Sequence, residues 1–230
     1  MHTNIIRIKA VARVLSALKE AFVFVGGATV SLYATHADLA GEVRPTEDVD
    51  VLIEIVSYSG FVQLEEKLRA VGFVNDTESG VYCRYKIQGI IVDVMPTNDT
   101  AIGFSNKWYP EGFKNVVTAQ LDERTKVKIF SLPYFIASKW EAYKGRGKGD
   151  YRTSKDFEDL VYLFENVDDL QGQLNKAPAH LFNYLQEEIL KVIDTSDFKE
   201  GLYAHIQGGY TGIDANILLF KLKEAFNIPI

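Results

Sequence analysis

The stretch from Gly26 to Asp50, GGATVSLYATHADLAGEVRPTEDVD, decides how this chain folds. The apolar run FVFV at 22–25 precedes it and the run VLIEI at 51–55 follows it, and both runs are predicted to be buried strands. Two glycines stand where the first strand ends, and Asp48 and Asp50 stand at the start of the second. Because residues i and i+2 of a strand point to the same face, both carboxylates are expected to project together.

Glycines before a helix and aspartates at the head of a strand together suggest nucleotide chemistry. A helix predicted at 28–39, opened by Gly26 and Gly27, would offer free backbone N–H groups and a positive dipole end to phosphate. Asp48 and Asp50 have a spacing at which carboxylates share divalent cations. Each feature alone is common, since most Gly-Gly pairs are turns and most paired acids are solvated. Their order along the chain favours the functional interpretation.

A further carboxylate, Asp93, lies in the apolar run IIVDVMP at 90–96. This run and the segment 81–87 are predicted to be two strands joined by a tight turn at 88–89. A carboxylate in so apolar a strand is costly to bury unless it is paired or binds a metal. The residues alone leave open a metal-binding role and exposure to water at a sheet edge.

The rest of the chain predicts an α/β (α+β) fold with a mixed sheet, in which residues 1–130 form the core and residues 131–230 a helical region. Helical periodicity or capping residues mark the segments 4–20, 59–71, 131–143, 155–164, 178–193, 197–207 and 213–226. Residues 97–125 are predicted to be irregular and pinned to the core by aromatic side chains, followed by a short strand at 127–130. The glycine-broken stretch 145–150 is predicted to be a mobile loop.

Composition indicates an ordinary globular protein of 230 residues, 47% hydrophobic and 24% charged. The longest apolar runs are too short to span a bilayer and the N-terminus has no signal-peptide pattern, so we expect a cytoplasmic protein. The one cysteine, Cys83, excludes an internal disulfide and a multi-cysteine zinc site. We expect it to be structural.

The formal net charge of −6 conceals a basic segment at 139–155. This segment has two acidic residues and six basic ones: Lys139, Lys144, Arg146, Lys148, Arg152 and Lys155. A basic segment on an acidic protein indicates one anion-binding face.

Gly26-Gly27 and the pattern Arg44-x-Thr46-x-Asp48-x-Asp50 resemble the first motif of the DNA polymerase β-like nucleotidyltransferases. The R-x-T-x-D-x-D form is similar to the AbiEii-type branch, known as toxins of toxin–antitoxin and abortive-infection systems. The distance from the glycines to the aspartates exceeds that of minimal members of the superfamily, so residues 36–43 lie outside the motif.

A second signature of the same branch is similar to Lys139, Arg146 and the pair Lys155-Asp156, which complete the site in that branch. The two signatures occur in the expected order, and the resemblance spans roughly residues 22–164. Alternative interpretations are a solvated lysine at 139 and, for Asp156, an acid that complements the dipole of its helix.

The resemblance implies transfer of a nucleoside monophosphate from an NTP to an acceptor hydroxyl, with release of pyrophosphate. Asp48, Asp50 and Asp93 would bind Mg²⁺ (or Mn²⁺), and Asp93 would also help to deprotonate the acceptor. Gly26 and Gly27 would hold the triphosphate through backbone N–H groups.

The remaining assignments follow from the same resemblance. Lys139, and with it Arg146, would neutralise the leaving pyrophosphate, and the helical region with Asp156 would complete the active site. Arg44 and Thr46 would either contact the nucleotide or brace the loop before the first aspartate.

Several alternatives for the function stay open. The mobile basic segment and the family favour RNA, tRNA in particular, as the acceptor, and a small molecule or a protein is the alternative. The resemblance also implies a cognate antitoxin as partner. A two-metal phosphohydrolase is a rival enzyme class, and a catalytically silent nucleotide-binding or regulatory domain is the non-enzyme rival.

Overall fold

The computed structural model of the protein describes residues 2–55, 57–98, 106–207 and 214–229. The chain packs as two compact units. The first consists of Met1–Thr29 and Arg44–Ser131, and the second of Val30–Val43 and Leu132–Ile230. The sequence predicts a single division at residue 130, whereas the segment Val30–Val43 packs with the later helices.

The first unit is built on a mixed sheet that has seven strands in the described residues. The strands are β1 Phe22–Val25, β2 Asp48–Ile53, β3 Val74–Asn75, β4 Arg84–Ile87, β5 Ile90–Pro96, β6 Val116–Gln120 and β7 Lys126–Phe130. Their order in the sheet is β3-β4-β5-β2-β1-β7-β6. The pairs β2–β5 and β1–β7 are parallel and the other pairs are antiparallel. The predicted α/β fold with a mixed sheet is therefore confirmed.

Alternation of side chains along β2 separates its two faces. Val49 and Val51 are fully buried, whereas Asp48 and Asp50, between and before them, are half-buried. Because successive side chains of a strand point to opposite faces, the valines anchor β2 in the core and direct the two carboxylates to the other face.

In the described residues, the first unit contains the α-helices α1 Thr3–Leu15, α2 Tyr58–Ala70 and α3 Tyr109–Lys114. His2 caps α1 through Nδ1, which accepts from the Asn4 N–H at 3.2 Å. Ser57 caps α2 through its hydroxyl, which accepts from the Gly60 N–H at 3.1 Å. Each cap satisfies a backbone donor that the first helical turn leaves without a partner.

The α-helix predicted at 28–39 is wrong in type and length, because the segment after β1 is a 3₁₀ helix, Gly27–Tyr33. Thr29 tightens its start, since its hydroxyl donates to the Gly26 carbonyl at 2.9 Å. The β-branched residues Thr29 and Val30 also have low α-helix propensity. A short 3₁₀ helix offers fewer aligned peptide dipoles to a phosphate than the predicted helix.

The prediction that residues 97–125 are irregular is also wrong for the described part of that segment, which contains α3 and β6. β6 pairs with β7 from Val116↔Phe130 to Gln120↔Lys126. Trp108 is buried and the Tyr109 ring contacts the Phe130 ring at 6.1 Å, which confirms that these aromatics pin the segment. The aromatic at 104 lies outside the described residues.

The second unit is helical. Its helices in the described residues are α4 Leu132–Arg146, α5 Lys155–Asn166, α6 Leu170–Leu174, α7 Ala179–Val192, α8 Ser196–His205 and α9 Ala215–Ala225. The helix predicted at 155–164 is confirmed, and its residues Phe157, Leu160, Val161 and Phe164 are fully buried. None of the helices in the described ranges is long and apolar enough to span a membrane.

The prediction that residues 145–150 form a loop is wrong for the first two of them. Helix α4 continues through Gly145 to Arg146, and the Gly147 N–H still donates to the Tyr143 carbonyl at 2.7 Å. The continuation matters for the charged residues, because it fixes the Arg146 backbone to a helix.

Candidate active site

Three carboxylates lie on one face of two neighbouring strands in the first unit. β2 and β5 are parallel, and Asp50 is the register partner of Asp93. Asp48 stands two residues before Asp50 and therefore points to the same side. The register of the sheet thus brings Asp93 of β5 beside Asp48 and Asp50 of β2, although Asp50 and Asp93 are 43 residues apart in the sequence.

Arg84 bridges two of these carboxylates and was not among the predicted site residues. Its Nε donates to Asp93 Oδ1 at 2.8 Å, and its Nη2 donates to Asp93 Oδ2 at 2.8 Å and to Asp48 Oδ2 at 3.1 Å. Arg84 is the register partner of Asp93 across the β4–β5 hairpin. A forked guanidinium facing a carboxylate is a strong, oriented pair.

Burial and the nearby carboxylates shift the pKa values of Arg84 and Cys83. The hydrogen bond to Asp93 raises the pKa of Arg84 further above its ordinary value, although burial opposes the shift. Burial, followed by the negative charge of Asp93, raises the pKa of the Cys83 thiol to about 12. Cys83 is therefore a buried side chain whose thiol resists ionisation at neutral pH.

Gly26 contacts the central carboxylate. It follows Val25, the register partner of Asp50, and its φ of +72° lies in the left-handed region. A Cβ at this position would lie 1.8 Å from Asp50 Oδ2, far inside van der Waals contact. A glycine is therefore required here both by the backbone conformation and by the approach of the carboxylate.

Substitution of this glycine is expected to displace the Asp50 carboxylate. Gly26→Ala should lower the free energy of unfolding by about 1–2 kcal/mol from the backbone conformation alone, with a further loss from the overlap. Gly89→Ala is the matched control, because Gly89 has a φ of +77° and open space around it. Denaturant titration should show the larger loss at Gly26, and equal losses would contradict the steric argument.

The loop that leads into β2 is held by helix α1. Asn4 Oδ1 accepts from the Thr46 N–H at 3.0 Å, and Asn4 Nδ2 donates to the Arg44 carbonyl at 3.2 Å. The Thr46 hydroxyl donates to the Asp48 carbonyl at 2.9 Å, and the Arg7 guanidinium donates to the Thr46 carbonyl. Thr46 therefore braces the backbone at Asp48, which is one of its two predicted roles. Asn4, which is fully buried, was not predicted.

The carboxylates fit a hard divalent cation in donor type. Carboxylate oxygens are the ligands that Mg²⁺ prefers, and three of them share one face of β2 and β5. As the side chains stand, no three Asp, Glu, His or Cys residues in the described ranges are grouped closely enough to hold an ion. In the first unit, the Arg84 guanidinium instead contacts Asp48 and Asp93.

A second charged cluster lies in the helical unit, between α4 and α5. The Lys139 ammonium lies 3.2 Å from Asp156 Oδ1 and 2.6 Å from Asp159 Oδ2. Arg146 makes a forked pair with Asp156 through Nε at 2.7 Å and Nη2 at 2.8 Å. Lys139 is only 5% exposed, whereas the Arg146 side chain is 70% exposed. The structure thus brings together three predicted residues and adds Asp159.

The ion pairs of this cluster affect the pKa of Asp156 more than its burial does. Burial alone would raise the pKa of Asp156, but the hydrogen bond from Arg146 and the charge of Lys139 lower the pKa below its usual value. Lys139 is therefore not a solvated lysine, and Asp156 is not merely a first-turn acid, because both take part in a buried network.

Acidic neighbours compensate much of the basic segment at 139–155. Lys144 pairs with Glu141 at 2.9 Å and with Glu188 at 2.8 Å, and Arg152 pairs with Glu200 at 2.6 Å. Lys148 and Lys155 are exposed. The anion-binding capacity of the segment is therefore concentrated in fewer side chains than the sequence indicates.

Comparison with known proteins gives a family match over most of the chain. The model of the family described as nucleotidyl transferase AbiEii toxin, type IV TA system, matches residues 9–220. Among solved structures, the chain is similar to an antigenic nucleotidyltransferase-like protein from Paracoccidioides brasiliensis. That similarity has 18% identity and a TM-score of 0.47, and it covers 88% of this chain and 93% of the other. The search of curated proteins finds no match.

Proposed function

This chain belongs to the AbiEii family of nucleotidyl transferase toxins, and from that premise we propose that it is a metal-dependent nucleotidyltransferase. It would move a nucleoside monophosphate from an NTP to an acceptor hydroxyl and release pyrophosphate. One observation carries the proposal: Asp48, Asp50 and Asp93 share one face of β2 and β5, where Gly26 leaves room for the central carboxylate.

In this proposal Asp48, Asp50 and Asp93 hold Mg²⁺ or Mn²⁺. The bound cations would supply charge stabilisation to the triphosphate and to the attacking and leaving oxygens. Asp93 is the carboxylate that we assign to accept the proton of the acceptor hydroxyl. Gly26 and Gly27 would present backbone N–H groups to the phosphates, since side-chain-free positions allow close approach.

Roles for the second cluster follow from the exposure of its members. Arg146 is anchored to Asp156 and largely exposed, so we assign it to the phosphate charge. Lys139 is enclosed by two carboxylates, so we assign it to holding Asp156 and Asp159 in place. This assignment replaces the prediction from the sequence that Lys139 contacts the leaving pyrophosphate. The Arg44 side chain keeps its proposed nucleotide-binding role, and Thr46 is assigned to bracing.

For the acceptor we propose the 3′ hydroxyl of an RNA, tRNA in particular. The family name describes a toxin, and the exposed Lys148 and Lys155 are suited to a phosphate backbone. The type IV toxin–antitoxin family also implies that a cognate antitoxin is the partner of this protein. A small-molecule or protein acceptor is the competing outcome of the test.

The test is incubation with radiolabelled NTPs, Mg²⁺ and total tRNA at low and moderate salt. Label should enter the RNA, and a Lys148→Ala/Lys155→Ala variant should lose about tenfold of that labelling at moderate salt, because phosphate contacts are salt-dependent. Arg152→Ala is the control, since Glu200 already compensates Arg152.

Each other outcome identifies a rival. Label found only on protein or on a small metabolite would overturn the RNA acceptor but keep the nucleotidyltransferase. Release of inorganic phosphate without transfer would indicate a phosphohydrolase. NTP binding without turnover would indicate a silent regulatory domain.

A further inference from the structure

Arg84 is in contact with the carboxylates to which the metal is assigned. One guanidinium uses both oxygens of Asp93 and one oxygen of Asp48, at distances of 2.8 to 3.1 Å. These oxygens are the donors that a divalent cation would need. A cation that binds there must therefore compete with the arginine for the same lone pairs.

We propose that Arg84 is a positioning residue that holds Asp48 and Asp93 in the metal-free protein and leaves them when a divalent cation binds. The inference rests on the proposed function, because it takes these carboxylates as metal ligands. Arg84 would thus act as an internal counter-cation that keeps the site ordered before substrate arrives.

Like charges make such a counter-cation necessary. Carboxylates on one face repel one another, and the repulsion is strongest where they are partly withdrawn from water. Asp93 is 8% exposed, so an uncompensated charge there would be costly. The forked pair with Arg84 removes that cost while no cation is bound.

Release of Arg84 can occur only by displacement. An arginine keeps its positive charge throughout the physiological range, so a cation that binds must displace a charged guanidinium. The Arg84 side chain is 24% exposed, so one side of it faces solvent and the guanidinium can move outward. The exchange therefore depends on the concentration of the cation.

The experiment compares Mn²⁺ binding to wild type and to Arg84→Met by calorimetry, together with melting temperatures with and without Mn²⁺. Methionine keeps much of the apolar stem and removes the competing charge. We expect the variant to bind Mn²⁺ about tenfold more tightly, since the ion no longer displaces a charge-assisted pair. Without metal the variant should melt lower than wild type, and saturating Mn²⁺ should narrow the difference.

Arg69→Met is the matched control. Arg69 lies on α2 and contacts Glu65 at 3.5 Å and Asn75 at 3.0 Å, outside the carboxylate face. Its Mn²⁺ affinity should equal that of wild type. Arg84→Lys is the second variant, because one ammonium cannot reproduce the fork, and its affinity should lie between wild type and Arg84→Met.

Three results would contradict the inference, and the third would also contradict the proposed function. Unchanged Mn²⁺ affinity in Arg84→Met with a lower melting temperature would make Arg84 purely structural. Weaker Mn²⁺ binding would make it a support for the bound metal. If neither wild type nor the variants bind Mn²⁺, the metal-dependent function itself fails, and this inference fails with it.

Discussion

Asp50→Asn is expected to lower the rate of NMP transfer at least about 1,000-fold, because in the proposed function the Asp50 carboxylate binds the metal and supports several kcal/mol of transition-state stabilisation. Asp50 is the central acid, since it is the register partner of Asp93 in β5 and lies against Gly26. Asparagine keeps the shape of the side chain and removes its charge. Because repulsion among the three acids decreases, the melting temperature should stay the same or rise.

Single-turnover transfer from labelled NTP, with melting curves of the same preparations, checks this prediction. Glu54→Gln is the matched control, since Glu54 directly follows β2, is exposed and undergoes the same change of charge. Its rate should stay within about twofold of wild type, as for most surface substitutions. Full activity in Asp50→Asn would remove it from the catalytic site, and a large loss of stability would make it structural.

Lys139→Met is expected to lower the free energy of unfolding by about 3–5 kcal/mol, because removing one partner of a buried ion pair leaves an uncompensated charge. Lys139, Asp156 and Asp159 are each no more than 5% exposed. Arg146 still pairs with Asp156 in the variant, whereas Asp159 loses its 2.6 Å contact with the Lys139 ammonium, and this loss accounts for most of the cost.

Urea titration at neutral pH measures this loss, with Lys144→Met as control. Lys144 also contacts two acids, Glu141 and Glu188, but its side chain is 38% exposed, so its loss should stay below about 1 kcal/mol. Equal losses at both lysines would contradict the buried network. Rescue of Lys139→Met by Asp159→Asn would support it.

The loss of stability in Lys139→Met should also depend on pH. The folded-state pKa of Asp156 lies below its ordinary value, so its ionised form stabilises the protein above that value and the contribution is lost as pH falls through the folded pKa. Without Lys139 one cause of the lowering disappears. The deficit of Lys139→Met should therefore shrink as the pH falls below about 4, the ordinary pKa of an aspartic acid.

Local pattern sufficed for most elements near the carboxylates. Apolar runs predict β1 and β2, and the two-residue turn predicts the β4–β5 hairpin, because strand periodicity and turn chemistry are properties of a few adjacent residues. The 3₁₀ helix Gly27–Tyr33 and strand β6 were missed. The 3₁₀ helix depends on local hydrogen bonds, and β6 depends on its pairing with β7. The spacing of apolar residues along the chain indicates neither.

Arg84 could have been found in the sequence. With Gln88-Gly89 as the turn, Ile87 pairs with Ile90, and counting outward places Arg84 opposite Asp93. An opposite-charge pair across two strands is a recognisable signal, because cross-strand neighbours on one face interact. The contact of the same guanidinium with Asp48 in β2 cannot be found by counting residues from the turn.

The sequence by itself determined the three carboxylates, the glycine beside them, the mixed α/β fold and the motifs that resemble this family. These depend on short-range spacing, which a strand or a turn converts directly into geometry. Only the tertiary structure decided that Asn4 braces Thr46, that Lys139 is buried between Asp156 and Asp159, and that Val30–Val43 packs with the helical unit. The physical reason is that burial and ion pairing depend on which distant segments pack together, and the spacing of residues along the chain does not contain that information.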